Sequence, residues 1–445
     1  MAGLDPLWAL NHYHYLDNGR DGKHALIMSR YAGIGSHRYP MGFSGDTTIS
    51  WETLQYMPYF TATATNIGYT WWGHDIGGHH LGIKDDELYL RFLQFGVFNP
   101  INRMHCTDSP VLTKEPWAYE NGIAELAKEV MVFRHRMIPF LYTCNWRSHR
   151  DGLGLVEPMY YDYPQNPESY EAKNQYLFGR DLIVAPVLAH SERKSLSRVR
   201  VWLPKGIWTD VFTNDIYNIP EGGSWKTVVR PLNSIPVFAK AGALLPLSCD
   251  SGNQCDNPQH LEAMVFNGNG SFTLYEDDDQ GVAAFTIFEN IQQDGKQITK
   301  IRFSGETAVF PKKRKLTLTY SNMVVHSSVD SAARLQAAPA HITLLKNGKP
   351  QDFEASTYAT IAVTISDLDY NAQYEVCISY RAPEQFLLAK RTVLLKLQYV
   401  QAPFSVRKSL LEALNAAETM EQLCGCIRIS DLDQIEKDRL LETIC

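Results

Sequence analysis

Residues 29–109 hold isolated carboxylates, arginines and histidines among closely spaced aromatics and glycines. Asp46 closes the tract Gly42-Phe43-Ser44-Gly45-Asp46 and is followed by Thr47, Thr48 and Trp51. A carboxyl on a tight turn beside aromatic surface is partly desolvated, which raises its pKa and suits it to act as a general acid. The same residue types suit an Asp that caps a following helix, and spacing alone leaves both readings open. Asp75 lies within Trp71-Trp72-Gly73-His74-Asp75-Ile76-Gly77-Gly78-His79-His80. Two tryptophans, a carboxylate and paired glycines suit a sugar subsite: rings to stack on, an acceptor for hydroxyls, and backbone that can come close. A plain structural turn is the alternative. His74, His79, His80 and Asp75 are also metal-ligand types. Their spacing is neither a helical i, i+4 pair nor an H-E-x-x-H pattern, so no metal is expected. Arg30 and His105 can each orient a substrate or stabilise charge, or serve only as structural hydrogen-bonding groups.

These groups need elements that bring them together. Short runs at residues 24–30, 38–46, 68–75 and 100–105 read as strands, each ending on a polar residue, with helices predicted over 50–66 and 85–98. Alternating strands and helices favour an α/β parallel architecture, whose loops converge at the carboxyl ends of the strands. Residues 4–16 read as a helix with Pro6 in its first turn. Ile123, Leu126, Val130, Phe133, Met137, Phe140 and Cys144 form one apolar stripe, predicting a helix over 120–147 that Pro139 kinks or shortens. A heptad coiled coil is the rival, but the flanks lack sustained charge.

Beyond Gly152 the chain turns β-rich. Strands are predicted over 182–187, 199–203, 228–229, 235–245, 271–275, 298–303, 316–320 and 374–380, with polar turns at 292–300 and 311–315. Glu276 to Asp279 read as a solvated acidic turn or a calcium chelator. From Phe386 the chain is helical, with Ser405 a candidate N-cap for a helix over 406–417.

The 445 residues suit about three domains on the usual prior of roughly 150 residues each. The formal charge of −7 and the lack of a sustained basic run argue against nucleic acid and anionic membrane as partners. No basic, then apolar, leader opens the chain, so a cytoplasmic protein is expected, with the N-terminus open to extension. The eight cysteines form no paired zinc pattern and are expected to be reduced thiols, a Cys249–Cys255 disulfide being the alternative. There is no P-loop, no G-x-G-x-x-G and no G-x-S-x-G, and no cofactor is expected.

Several segments together resemble glycoside hydrolase family 31, the α-glucosidase and α-xylosidase family. Ser29-Arg30 and His37-Arg38-Tyr39-Pro40-Met41-Gly42-Phe43-Ser44-Gly45-Asp46 are similar to its acid/base region. Gly73-His74-Asp75-Ile76-Gly77-Gly78 and Pro100-Ile101-Asn102-Arg103-Met104-His105 follow in the family's order. Segments 178–187, 203–208 and 241–246 resemble its proximal β-domain, and 272–278 its distal one.

The resemblance implies the C-terminal half of a (β/α)8 barrel (strands five to eight, residues 1–150). Two β-sandwich-like domains follow, at 151–250 and 255–383, and then a helical extension at 384–445. It implies retaining hydrolysis of terminal α-glucosidic bonds in oligosaccharides, with Asp46 as general acid/base. Arg30, Phe43, Trp72, Asp75 and His105 would bind the sugar. Phe43 stands where many members have Trp, and His79 where many have Phe. The family's nucleophile motif is not found in this chain, and Asp5 and Asp17 do not match it. A retaining enzyme needs two carboxyls roughly 5–5.5 Å apart, so the chain reads as a truncated or split form, inactive alone, with an upstream barrel half as its partner. The alternatives are a non-catalytic carbohydrate-binding descendant, an α-xylosidase or a transglycosylase.

Overall fold

The computed structural model describes residues 3–30, 33–39, 41–120, 122–193, 195–250, 252–253, 256–321, 326–328, 336–337, 341–356, 360–379 and 385–444. The chain divides into two compact units, Met1–His135 with Cys144–His190, and Arg136–Thr143 with Ser191–Cys445.

The first unit opens with helix α1 (Pro6–Asn18), with proline at its first position and the Asp5 carboxylate accepting from Leu7 N at 2.8 Å. The expected strands exist but are short: β1 (Met28–Ser29), β2 (Met41–Phe43), β3 (Trp72–Gly73), β4 (Asp75–Ile76) and β5 (Arg103–Met104). Pairing is parallel in the order β1–β2–β3, and again between β4 and β5. Helix α2 (Trp51–Ala64) connects β2 to β3, and α3 (Asp86–Gly96) connects β4 to β5. Each has an oxygen cap: Ser50 accepts from Thr53 N at 3.2 Å, and Asp85 from Leu88 N at 3.0 Å. So Ser50, rather than Asp46, caps the helix after the Asp46 turn. Helix α3 is buried on every side from Glu87 to Gly96, and its buried Arg91 Nη1 donates to Gln94 Oε1 at 2.8 Å.

The apolar stripe of residues 123–144 lies on two helices, α4 (Ile123–Arg136) and α5 (Ile138–Asp151). Pro139 is the second residue of α5, where its missing N–H leaves no hydrogen bond unmade. The unit continues through β6 (Val156–Glu157), α6 (Glu168–Glu171), β7 (Tyr176–Phe178) and β8 (Leu182–Val184), with β6–β7–β8 antiparallel.

The second unit is β-rich. Leu196–Leu203 pairs with Ser224–Pro231 as a long antiparallel ribbon. A five-stranded sheet runs Leu244–Ser248, His260–Phe266, Lys315–Ser321, Ile361–Ile365, Glu354–Ser356. A six-stranded antiparallel sheet runs Gly270–Asp277, Ala283–Gln293, Lys296–Gly305, Tyr374–Ser379, His341–Lys346, Lys349–Pro350. Alternate residues are buried along His260–Phe266, Ala283–Gln293 and Lys315–Ser321, so these strands each turn one face to the core.

Three expectations change here. Residues 292–300 are not a turn, because Asp294 and Gly295, both at positive φ, close a tight hairpin and strand pairing resumes at Lys296. Glu276 is neither solvated nor a chelator: it is buried and takes Arg314 in a two-pronged pair at 2.8 and 2.5 Å. Ser405 lies inside the helix Phe404–Ala416, whose cap position is Pro403 with no side-chain hydrogen bond. Cys106, Cys144, Cys249, Cys377 and Cys426 are free thiols, while Cys255 lies outside the described residues. No helix among the described residues is long and apolar enough to cross a membrane.

The chain ends in helices α7 (Gln385–Leu397), α8 (Phe404–Ala416), α9 (Met420–Ile429) and α10 (Gln434–Leu441), which share a core including Val393, Leu414, Leu423, Ile427 and Leu440. They dock on the long ribbon through Ile435 against Leu196 and Val229. Below that contact the Glu442 carboxylate accepts from Val229 N at 2.7 Å, Arg230 Nη1 at 3.0 Å and Lys396 Nζ at 2.7 Å. Arg230 also donates to Asp210 Oδ2 at 2.7 Å. Burial pushes the Glu442 carboxyl up, but the charges of Arg230 and Lys396 outweigh it and hold the group below its ordinary value. Removing one member of a buried pair strands the other charge. Glu442→Leu is expected to destabilise the folded chain by about 3–5 kcal/mol, read as a lower urea midpoint. An unchanged midpoint would show that the network contributes nothing.

Candidate active site

Gly42 and Trp72 set how closely the strands approach. They pair across β2 and β3, and a Cβ on Gly42 would lie 2.5 Å from the Trp72 ring. Trp72 is only 3% exposed and packs against Phe60 and Tyr69, each with ring centroids 5.1 Å away. This corrects the expectation that Trp72 stacks on a sugar: its indole is committed to the core. His74 is likewise internal, between Ser44 Oγ at 2.9 Å and Thr61 Oγ1 at 2.7 Å. Burial pushes its pKa down to about 3, so it stays neutral at ordinary pH.

The remaining candidates come together at the carboxyl ends of the strands. Arg30 directly follows β1, Phe43 ends β2, Asp46 sits on the turn beyond it, Asp75 opens β4 and His105 follows β5. Arg30 Nη2 donates to Asp46 Oδ1 at 2.7 Å in a half-exposed ion pair. Asp75 is fully buried and held from two sides. Arg103 Nη2 donates to Oδ1, and His79 Nδ1 donates to Oδ2 at 2.9 Å. His79 Nδ1 also stands 4.0 Å from Asp46 Oδ1, and its ring lies 5.1 Å from that of His105. The guanidinium carbons of Arg30 and Arg103 lie 5.9 and 5.3 Å from the Phe43 ring centre. One aromatic ring therefore links both ion pairs.

The loop carrying His79 is built to hold it. Gly78 has φ +76°, and a Cβ there would meet Ile49 Cα at 2.8 Å, so no other residue fits without strain. His79 N donates to Thr47 O at 2.7 Å, and Thr107 N donates to His79 O at 2.9 Å. Buried Lys114 ties the turn from beneath, donating to Gly77 O at 2.7 Å.

Two features were not foreseen in the sequence. The first is Arg103, which lies two residues before His105, on the same face of its strand, and in register with Asp75. The second is the sign of the shift at Asp46. Desolvation does raise its pKa, but the hydrogen bond and charge of Arg30, with the charges of His79 and His80, outweigh it and lower the value. The carboxyl is ionised as it stands.

The carboxyl ends of parallel strands are where α/β folds gather the polar groups of a functional site. Residues 6–144 match the glycosyl hydrolases family 31 TIM-barrel domain, and residues 152–245 the glycosyl hydrolase family 31 C-terminal domain. The chain belongs to glycoside hydrolase family 31. An α-glucosidase 2 of Bacillus thermoamyloliquefaciens is 28% identical over 264 residues, which is 58% of this chain and 32% of that protein. An α-xylosidase of Saccharolobus solfataricus is 30% identical over 264 residues, 58% of this chain and 35% of that one. The fold is similar to that of a Flavobacterium johnsoniae family 31 dextranase solved with isomaltotriose, with TM-score 0.69 and 24% identity over 83% of this chain and 47% of that one. The chain thus spans about a third of the length of these curated relatives.

A lowered carboxyl pKa means that the Asp46–Arg30 pairing is present above the ordinary Asp value and is lost as pH falls through the lowered one. Arg30→Met is expected to raise the Asp46 pKa, measured by carboxyl carbon NMR across an acid titration. An unmoved titration would show that Arg30 does not control this group.

Proposed function

We propose that this chain carries the acid/base and sugar-binding part of a retaining glycoside hydrolase of α-glucosidase type, acting on terminal α-glucosidic bonds of oligosaccharides. In this reading residues 1–150 are strands five to eight of a (β/α)8 barrel. Residues 151–250 and 255–383 are two β-sandwich-like domains, and 384–445 a helical extension. The observation that carries it is the grouping of Asp46, Arg30, Asp75 and His105 at strand ends in a family 31 chain. Asp75, fixed by Arg103 and His79, would accept hydrogen bonds from sugar hydroxyls. Arg30 and His105 would donate to others, and Phe43 would offer a ring face.

Asp46 would protonate the glycosidic oxygen and later take a proton from water. Its lowered pKa has a physical account here: a second carboxylate roughly 5–5.5 Å away would push the value up again by like-charge repulsion. That nucleophile would come from a preceding part of the barrel. A non-catalytic carbohydrate-binding role is the second reading, favoured by the ionised, Arg30-paired state of Asp46.

Titration of the 445-residue chain with isomaltose or maltose, followed by tryptophan fluorescence, should give saturable binding that Asp75→Asn weakens at least tenfold. The chain alone should not hydrolyse an aryl α-glucoside. Supplying the preceding barrel half should give turnover that Asp46→Asn lowers by about 10²-fold or more. Binding without turnover in the reconstituted protein would favour the second reading. Turnover by the chain alone would overturn the two-part account.

A further inference from the structure

His79 is the site residue whose role sugar recognition accounts for least. One of its ring nitrogens, a carboxylate oxygen of Asp75 and a ring nitrogen of His105 all lie within 4.8 Å of one another. We propose that these three residues bind a first-row transition-metal dication, with Zn2+ the best-suited ion. Two imidazoles and one carboxylate leave coordination positions open for water, a donor set that favours zinc, nickel or copper over magnesium or calcium.

The supporting groups are in place. Arg103 binds Asp75 Oδ1 and leaves Oδ2 turned toward His79, so the carboxylate is oriented by a partner on its far oxygen. Asp75 and Arg103 are register partners on β4 and β5, and His105 is two residues beyond Arg103, which ties two of the ligands to one strand pair. The glycine turn and the hydrogen bonds from His79 N and to His79 O fix the third. In a tetrahedral zinc site with bonds of about 2.0–2.1 Å, donor atoms stand roughly 3.4 Å apart. His79 Nδ1 and Asp75 Oδ2 are already at 2.9 Å. A ligating imidazole carries its proton on the nitrogen away from the metal, so ligation through His79 Nδ1 would exchange its hydrogen bond to Asp75 for a metal bond. The guanidiniums of Arg30 and Arg103 oppose any cation held by charge alone, which is a second reason to expect an imidazole-seeking ion. The proposal stands on the ligand geometry and does not require carbohydrate binding.

The test is calorimetric titration of the full 445-residue chain with ZnCl2, repeated for His79→Phe, His105→Asn and His80→Ala. The chain has 14 histidines and 8 cysteines, so the comparison between variants carries the result rather than the total zinc bound. The expected outcome is one zinc site weakened at least tenfold in both His79→Phe and His105→Asn and changed less than about twofold in His80→Ala. Circular dichroism checks that each variant is folded; if His79→Phe is not, His105→Asn decides. Equal affinity and stoichiometry in the parent chain and in the folded ligand variants would overturn the proposal.

Discussion

A carboxylate with no solvent exposure must be paired or neutralised, and Asp75 is such a group. Its two oxygens are taken by different elements, Arg103 on the neighbouring strand and His79 at the end of a glycine turn. Satisfying it therefore fixes the register of β4 against β5 and the path of the loop beyond β4. From that loop, backbone hydrogen bonds reach the turn that carries Asp46 and the segment after His105. The other polar groups of the site are thus arranged around the need to keep one buried charge compensated. The glycines at 77 and 78 follow from the same need, since the chain must reverse at positive φ to bring His79 back over Asp75.

Much of the site could be read in the sequence because its residues occupy the ends of short, regularly spaced strands. Arg30, Phe43, Asp46, Asp75 and His105 do converge. Trp72 does not, because adjacent strand residues face opposite ways and the close packing of Gly42 turns its ring into the core. The sign of the Asp46 shift was not legible either. Sequence neighbours pointed to desolvation, while Arg30, 16 residues away, supplies the stronger opposing effects together with His79 and His80. Elements declared locally were found close to where they were expected: α1, α2 and α3 each follow a capping side chain. Strand limits and hairpins were less legible, as at Asp294 and Gly295, where a long polar stretch conceals continuous pairing.

The β-rich unit shows the opposite balance. Its alternating burial was visible residue by residue, yet nothing local marked Glu276 as a core residue or Arg314 as its partner. Both look like solvated charges in a polar stretch. Long-range pairing of this kind is invisible to periodicity, because the partners are 38 residues apart and share no spacing rule.

The contact between Arg230 and Glu442 spans 212 residues, which bears on the order in which the molecule is made. At synthesis rates of about 5–20 residues per second, Glu442 follows Arg230 by roughly 10–40 s. Through that interval the long ribbon has emerged with its arginine lacking one of its two carboxylates, and Val229 lacking its acceptor. Hydrophobic faces can collapse early, but the ribbon cannot reach its final dry state before the helices arrive. The ribbon's buried ion pairing is thus complete only once the helical segment has been made.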